Sequence, residues 1–149
     1  MIIDKLAEFA SGQTVTGGTT TVATSDIDLS VARNIGSGRP LYVVIVVTAT
    51  ANGDSSDTFT FTLVGDTVLP IDGSSIAIAA TATITGVANI PAGTKLVIPV
   101  PPGALAAYRY LGLLYAVTAD AVLTVTAFLT DDPSYDHAVY ADATEGVTV

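Results

Sequence analysis

Apolar side chains recur at every second position in three separate segments of this chain. In the clearest of them, Phe59, Phe61 and Leu63 alternate with threonines. The same alternation appears at residues 76–85 and again at 123–129. Successive side chains of a β-strand point to opposite faces of its sheet, so this pattern predicts strands with one buried face. A chain built mainly from such segments is expected to be all-β.

Other segments complete the predicted strands. Residues 41–48 are apolar at nearly every position, which is typical of a strand covered on both faces. Residues 108–117 predict another strand, in which Gly112 is expected to form a β-bulge. Weaker strand patterns lie at residues 14–23, 27–29 and 95–100. Turn-forming pairs and clusters rich in Gly, Pro, Asn and Asp separate these segments. The pattern predicts a single-domain antiparallel β-sandwich that is jelly-roll-like in its arrangement.

We divide the chain into three parts. Residues 1–12 are predicted to form an N-terminal arm or short helix, residues 13–130 the sandwich, and residues 131–149 an acidic C-terminal segment. The arm carries four large apolar residues, Ile2, Ile3, Leu6 and Phe9. Apolar side chains at a chain terminus need a surface to cover them, so they either dock on a partner or pack on the core. The sequence leaves both alternatives open.

The chain is acidic and holds no cysteine. Its 149 residues carry 14 Asp and Glu against 5 Lys and Arg, a formal net charge of −9. This charge repels nucleic-acid backbones and anionic lipid, so we expect no direct nucleic-acid and no membrane binding. The lack of cysteine excludes disulfides and thiolate catalysis. With no apolar run of about 20 residues and no basic leader after Met1, the sequence predicts a product made in the cytoplasm.

The outward positions of the predicted strands carry threonine and alanine in place of Lys, Glu and Arg. Between Thr67 and Lys95, Asp72 is the only charged residue. Threonine favours strands in any setting, but a large and weakly polar face is also typical of the centre of a protein interface. We favour the second interpretation, in which other chains cover these faces.

No motif for catalysis or for a cofactor is recognisable. The one histidine, His137, lies with three aspartates in residues 131–137, and such carboxylates could hold a hard cation. Their spacing matches no metal-binding loop, so we favour a solvated acidic segment and predict no metal site. Acids elsewhere lie in predicted turns and not as a pair in a cleft, and nucleophile motifs are missing. We therefore expect no enzyme activity and no cofactor.

Four further residues are candidates for protein contacts. Arg33 and Arg39 are two of the three arginines, and an arginine on a weakly charged surface either anchors an interface or pairs with a nearby aspartate. Tyr108 and Tyr110 share one face of a predicted strand, opposite Tyr115, so we expect one set to pack in the core and the other to meet a partner. The predicted protein-interaction site consists of these four residues together with Ile2, Ile3, Leu6 and Phe9.

Three groups of residues, taken in order along the chain, are similar to a known family. The first joins Met1-Ile2-Ile3-Asp4-Lys5 to Phe9-Ala10-Ser11-Gly12-Gln13 and Val15-Thr16. The second is Ile27-Asp28-Leu29 followed by residues 32–44. The third is Tyr110-Leu111-Gly112-Leu113-Leu114-Tyr115, leading to Val125-Thr126-Ala127-Phe128-Leu129. In these residues the chain resembles the capsid cement (decoration) proteins of tailed bacteriophages.

The resemblance implies a jelly-roll-like structural protein on the outer capsid surface of a virion, made in the host cytoplasm. Such proteins form small homo-oligomers, here expected to be dimers or trimers, and bridge neighbouring major capsid protein subunits. That bridging stabilises the head against DNA pressure, and it needs no catalytic residues. An alternative class is a receptor- or glycan-binding β-sandwich module of a virion or cell surface, which the lack of tryptophan disfavours.

Overall fold

The computed structural model describes residues 5–33, 35, 38–118 and 120–134. Within these ranges the chain forms ten β-strands: β1 (Glu8–Thr16), β2 (Thr20–Val22), β3 (Ile27–Asp28), β4 (Leu41–Asn52), β5 (Thr58–Asp66), β6 (Ile76–Ala80), β7 (Ile84–Thr85), β8 (Lys95–Val100), β9 (Tyr110–Val117) and β10 (Val122–Thr130). Short turns of 3₁₀ helix lie at Lys5–Ala7, Val87–Asn89 and Ala104–Ala107. The expected all-β class is confirmed.

The strands form two antiparallel sheets. The first sheet has the order β1-β10-β4-β8, and the second has the order β2-β9-β5-β6. Strand β3 continues the line of β2 along β9, and β7 continues the line of β6 along β5, so each pair acts as one interrupted strand. Of the eight strands counted in this way, the first pairs with the eighth, the second with the seventh, the third with the sixth and the fourth with the fifth. This nested pairing is a jelly-roll arrangement, as predicted.

The hydrophobic core lies between the two sheets. Phe59, Phe61 and Leu63 of β5 are fully buried in it, which confirms the alternation that predicted this strand. Phe61 meets Tyr115 of β9 edge to face, with the ring centroids 5.7 Å apart. This is a favourable geometry for two aromatic rings, because the positive edge of one faces the negative face of the other.

Residues 43–47 of strand β4 are buried on both faces, as their uninterrupted apolar sequence predicts. Its inward residues, Val43, Ile45 and Val47, belong to the core between the sheets. On the opposite face, Val44 and Val46 form a second buried cluster with Phe128 of β10. The first sheet therefore buries apolar side chains on its outer face as well as on its inner one.

The Tyr115 hydroxyl is a buried polar group without a hydrogen-bond partner among the described residues. Burial also raises the pKa of this phenol. Because a buried hydroxyl without a partner costs about 1–3 kcal/mol, Tyr115→Phe is expected to raise the free energy of unfolding by about 1 kcal/mol. Urea unfolding of the two proteins measures the change, and Tyr108→Phe, whose ring is only half-buried, is the control. A loss of stability on Tyr115→Phe would contradict this prediction.

The sandwich begins earlier along the chain than predicted. Residues 8–12, assigned to the arm, form the first half of β1, and Phe9 and Ala10 are buried in the core. Register shifts on either side of Ala10 interrupt the pairing of β1 with β10. These irregularities break the two-residue alternation, so the sequence pattern does not indicate a strand here. The boundary expected at residue 13 therefore moves to Glu8.

The strand predicted at residues 76–85 is divided into β6 and β7. The pairing of β5 with β6 shifts register between Leu63 and Val64, and a register shift exchanges the faces to which the following side chains point. As a result Ile76 is 56% exposed while Ile78 packs on the core. The isoleucines and alanines predicted to share one face of a single strand do not all share it.

Gly112 does not form the predicted β-bulge. The register of β5 with β9 is unbroken from Phe59↔Val117 to Asp66↔Tyr110. Gly112 instead provides space, because a Cβ atom at this position would lie 2.5 Å from Cγ2 of Ile71. Ile71 belongs to the loop between β5 and β6, so the glycine in this central strand is explained by the close approach of a side chain from another segment.

Candidate interaction surface

Three loops meet at one end of the sandwich. They are the described residues of the segment 29–40 after β3, residues 67–75 after β5 and residues 101–109 after β8. Their common position follows from the strand register, in which Asp28 and Asp66 both lie opposite Tyr110. Loops 29–40 and 101–109 then connect this end of the second sheet to the matching end of the first. We call this set of three loops the apolar loop end.

Exposed aliphatic side chains are concentrated at the apolar loop end. Among the described residues, the exposed large hydrophobic side chains are Leu6, Val31, Val68, Leu69, Ile76 and Val97. Val31 lies in the first loop, Val68 and Leu69 lie in the second, and Ile76 follows the second directly. Leu6 precedes β1 where that strand pairs with the last residues of β10, at the same end. Grouped exposed apolar residues are typical of interaction surfaces, whereas single ones are ordinary.

The three arginines of the chain also lie at this end. Arg109 donates from Nε and Nη2 to the two carboxylate oxygens of Asp28, both at 3.0 Å. Its guanidinium lies 4.8 Å from the ring centroid of Tyr110. Arg39 pairs with Asp131 at 2.7 Å, and both side chains are exposed. For Arg39 the local ion pair expected as one alternative is therefore present, while Arg33 is exposed in the first loop.

The two candidate tyrosines pack against the sandwich. The ring of Tyr108 covers Gly65, because a Cβ on that glycine would lie 2.5 Å from Cγ of Tyr108. Tyr110 packs at the margin of a small cluster on the outer face of the second sheet. Tyr115, on the opposite face, is fully buried. The expected packing in the core is confirmed for Tyr115. The shared face predicted for Tyr108 and Tyr110 is wrong, because Tyr108 precedes β9 and packs on the core between the sheets, whereas Tyr110 packs on the outer cluster. A partner contact of either tyrosine stays a prediction.

The N-terminal candidates separate into different environments. Phe9 is fully buried in the core, so it is not available for docking. Leu6 is 82% exposed. Ile2 and Ile3 lie outside the described residues. Because β1 starts at Glu8, a deletion that tests the arm has to stop at residue 7, since a longer one would remove core residues.

A groove of ≈ 490 Å³ lies at the apolar loop end, between residues 38–42 and 99–105. Four prolines line it together with Tyr42 and Leu105, and Arg39 lies at its side. The sequence predicts neither this groove nor the exposure of Val68 and Leu69. Proline clusters and a short apolar run in a turn have no periodicity that would indicate a surface. The only sequence feature that could have indicated this surface is the presence of apolar residues in segments predicted to be loops.

Five aspartates accept hydrogen bonds that hold their pKa values below the ordinary value: Asp28, Asp54, Asp66, Asp72 and Asp132. For Asp28 the main cause is the guanidinium of Arg109. For the others the main donors are amides or hydroxyls two residues further along the chain. Burial raises the pKa of one further carboxyl group, Asp26.

Stability is expected to fall in acid. A carboxyl group whose pKa is lower in the folded than in the unfolded state contributes stability above the unfolded pKa, and this contribution is lost as the pH falls through the folded pKa. Five groups act in this sense and Asp26 acts in the opposite one. The free energy of unfolding should therefore decrease as the pH falls below about 4. Denaturant titrations at a series of pH values measure this, and a rise in stability over that interval would contradict it.

Residues 5–33, 35, 38–118 and 120–134 contain no metal cluster and no membrane-spanning helix. No three His, Cys, Asp or Glu side chains there come close enough together to hold a metal ion. His137 and Asp136 lie outside those ranges, so the cation hypothesis for residues 131–137 stays untested, as does most of the acidic segment 131–149. No helix in the described part of the chain is long and apolar enough to cross a bilayer.

Comparison with known proteins assigns the sandwich to a family. A family model described as Bbp16 matches residues 9–130. The match therefore includes all but the first residue of β1 and ends with β10, so it covers both sheets. No curated protein matches the chain.

Proposed function

We propose that this chain, which belongs to the Bbp16 family, is a structural virion protein that binds the outer surface of a phage capsid. In this role it cements neighbouring major capsid protein subunits and stabilises the head against the pressure of packaged DNA. The observation that supports the proposal most strongly is the apolar loop end. Exposed aliphatic side chains and all three arginines lie together there on an otherwise weakly charged jelly roll.

Charge supports the outer surface of the capsid as the binding position. The net charge of −9 disfavours contact with packaged DNA on the inside. The three arginines at the apolar loop end carry planar guanidinium groups, which can donate hydrogen bonds to carbonyl or carboxylate groups of a partner. The threonine and alanine positions on the second sheet leave a further weakly polar face for contacts between copies, and we propose a homo-oligomer, a dimer or a trimer.

Cementing of this kind is additive. Each oligomer touches several capsid subunits at once, so weak contacts combine through a high effective concentration. A protein in this role needs no catalytic group and no cofactor. We propose that it is made in the host cytoplasm before it joins the virion. The Arg109–Asp28 pair and the Arg39–Asp131 pair both lie at the proposed contact end, so two of its arginines are already paired with aspartates of this chain.

The test uses heads of the phage that encodes this chain, prepared without the chain. Purified protein is added at increasing concentration, heads are sedimented, and the bound protein per head is measured. Saturable binding at a fixed number of copies per head, with an increase in the temperature at which heads release DNA, is expected. Absence of binding, or binding without stabilisation, would contradict the cementing function. Selective binding on a glycan array in place of binding to heads would favour the receptor-binding alternative.

A further inference from the structure

The loop of residues 67–75 is anchored on the outer face of the second sheet. Ile71 is only 4% exposed and packs with Val64 of β5 and Leu114 of β9. It occupies the space left by Gly112, where any Cβ atom would collide with it. The middle of the loop is therefore held by a buried side chain, in the way that a core residue is held.

Both ends of the same loop are tied by hydrogen bonds. Asp66 Oδ1 accepts from the backbone N–H groups of Thr67 and Val68, at 2.7 and 3.2 Å. Asp66 Oδ2 accepts from the hydroxyl of Ser75, at 3.1 Å. Ser75 is 9% exposed, and its Oγ accepts from the backbone N–H of Asp72 at 3.1 Å. One carboxylate thus connects the residue that enters the loop to the residue that leaves it.

This anchoring presents two aliphatic side chains outward. Val68 is 64% exposed and Leu69 is 51% exposed, although Ile71, two residues later, is buried. The same loop therefore buries one aliphatic side chain and exposes two others to water. Because hydrogen bonds fix both ends of the loop, it has little freedom to rearrange and bury Val68 and Leu69. A rigid apolar tip loses little conformational entropy when it binds, which is the advantage of preorganisation.

We propose that the Val68–Leu69 tip is a preformed anchor that inserts into an apolar pocket of the major capsid protein bordered by basic side chains. This inference rests on the proposed function and names the residues that make the contact. The charge around the tip selects the partner. Asp66 and Asp72 flank it, no Lys or Arg occurs between Thr67 and Lys95, and the guanidinium of the neighbouring Arg109 is already paired with Asp28. A second copy, which carries a net charge of −9, and an anionic lipid surface would both be repelled by this negative charge.

The first test is the double variant Val68→Ser with Leu69→Ser, measured by sedimentation with heads that lack the chain. Both positions are exposed, so the fold is expected to be unaffected. The variant should bind at least about tenfold more weakly than the wild type, because removal of a central apolar anchor has effects of that size. The matched control is Val97→Ser, an exposed valine on β8 outside the loop, which should bind as the wild type does.

The outcomes separate this inference from the proposed function. If the wild type does not bind heads, the cementing function fails. If the wild type binds and the double variant binds equally well, the function stands and the anchor is overturned. Equal losses for the double variant and for Val97→Ser would also overturn the anchor, because the contact would then be a general apolar one.

The charge part of the proposal has its own test in Asp72→Asn. An asparagine Oδ1 atom retains the acceptor that Asp72 offers to the N–H and hydroxyl of Ser74, at 2.7 and 2.6 Å. The substitution therefore removes charge and keeps the loop. Binding to heads should weaken at low salt, and the difference from the wild type should disappear at high salt. Unchanged binding at low salt would show that the pocket is not bordered by basic groups and would overturn that part.

Discussion

Gly112→Ala is expected to lower the free energy of unfolding by about 2–3 kcal/mol, because the new methyl group and Ile71 cannot occupy the same space. The added Cβ would lie 2.5 Å from Cγ2 and 2.9 Å from Cγ1 of Ile71. Either the strand and the loop stay strained together, or Ile71 leaves its cluster with Val64 and Leu114 and becomes exposed. Both routes destabilise the protein, and the second also releases the loop that carries Val68 and Leu69.

Gly73→Ala is the matched control for this substitution. Gly73 lies in the same loop, and a Cβ there would meet no atom within 4 Å. The free energy of unfolding of Gly73→Ala, measured in urea, should stay within about 0.5 kcal/mol of the wild-type value. If Gly112→Ala is as stable as Gly73→Ala, Ile71 is not seated against the strand. Weaker binding of folded Gly112→Ala to heads would add support for a preorganised tip, since Val68 and Leu69 are unchanged in it.

Asp57→Ala is expected to destabilise the protein by about 1–3 kcal/mol, because two donors lose the acceptor that the buried Asp57 side chain provides. Asp57 is 8% exposed and lies at the end of the sandwich opposite to the apolar loop end. Its Oδ2 accepts from the N–H of Asp54 at 2.7 Å, and its Oδ1 accepts from the hydroxyl of Thr118 at 3.0 Å. The Thr118 hydroxyl in turn accepts from the N–H of Thr58 at 2.8 Å.

The measurement for Asp57→Ala is urea unfolding together with binding to heads. Asp120→Ala, an exposed carboxylate at the same end, is the control and should change stability by less than about 0.5 kcal/mol. Folded Asp57→Ala should bind heads as the wild type does, because the substituted end does not take part in the proposed contact. A stability change no larger than that of Asp120→Ala would show that the hydrogen bonds of Asp57 with Asp54 and Thr118 contribute little to the free energy of unfolding.

The regular strands could be predicted from the sequence because burial imposes the two-residue period directly. Phe59, Phe61 and Leu63 of β5 follow it, as do the inward residues Leu123, Val125 and Ala127 of β10. The predictions failed where pairing is irregular, at the shifts around Ala10 in β1 and between Leu63 and Val64 opposite β6. Gly112 is a different case, because its role depends on Ile71, which lies 41 positions away in the sequence numbering. A local pattern does not indicate which distant side chain needs the space.

The candidate surface was predictable only in part. Arg33 and Arg39 were selected because arginine is rare in this chain, and the structure places both in the loop of residues 29–40. Val68 and Leu69 gave no periodic signal. They join the arginines at one end only because antiparallel pairing sets Asp28 and Asp66 opposite the same residue, Tyr110. Phe9 could not be distinguished from a docking residue, since its burial depends on the irregular pairing of β1 with β10.

Electron cryomicroscopy of intact heads tests the central claim most directly. We expect density for this jelly roll on the outer surface, with the loops of residues 29–40 and 67–75 facing the major capsid protein. The side chains of Val68 and Leu69 should be enclosed by capsid residues. Heads without any such density, or a sandwich attached through the opposite end that contains Asp57 and Thr118, would contradict the account.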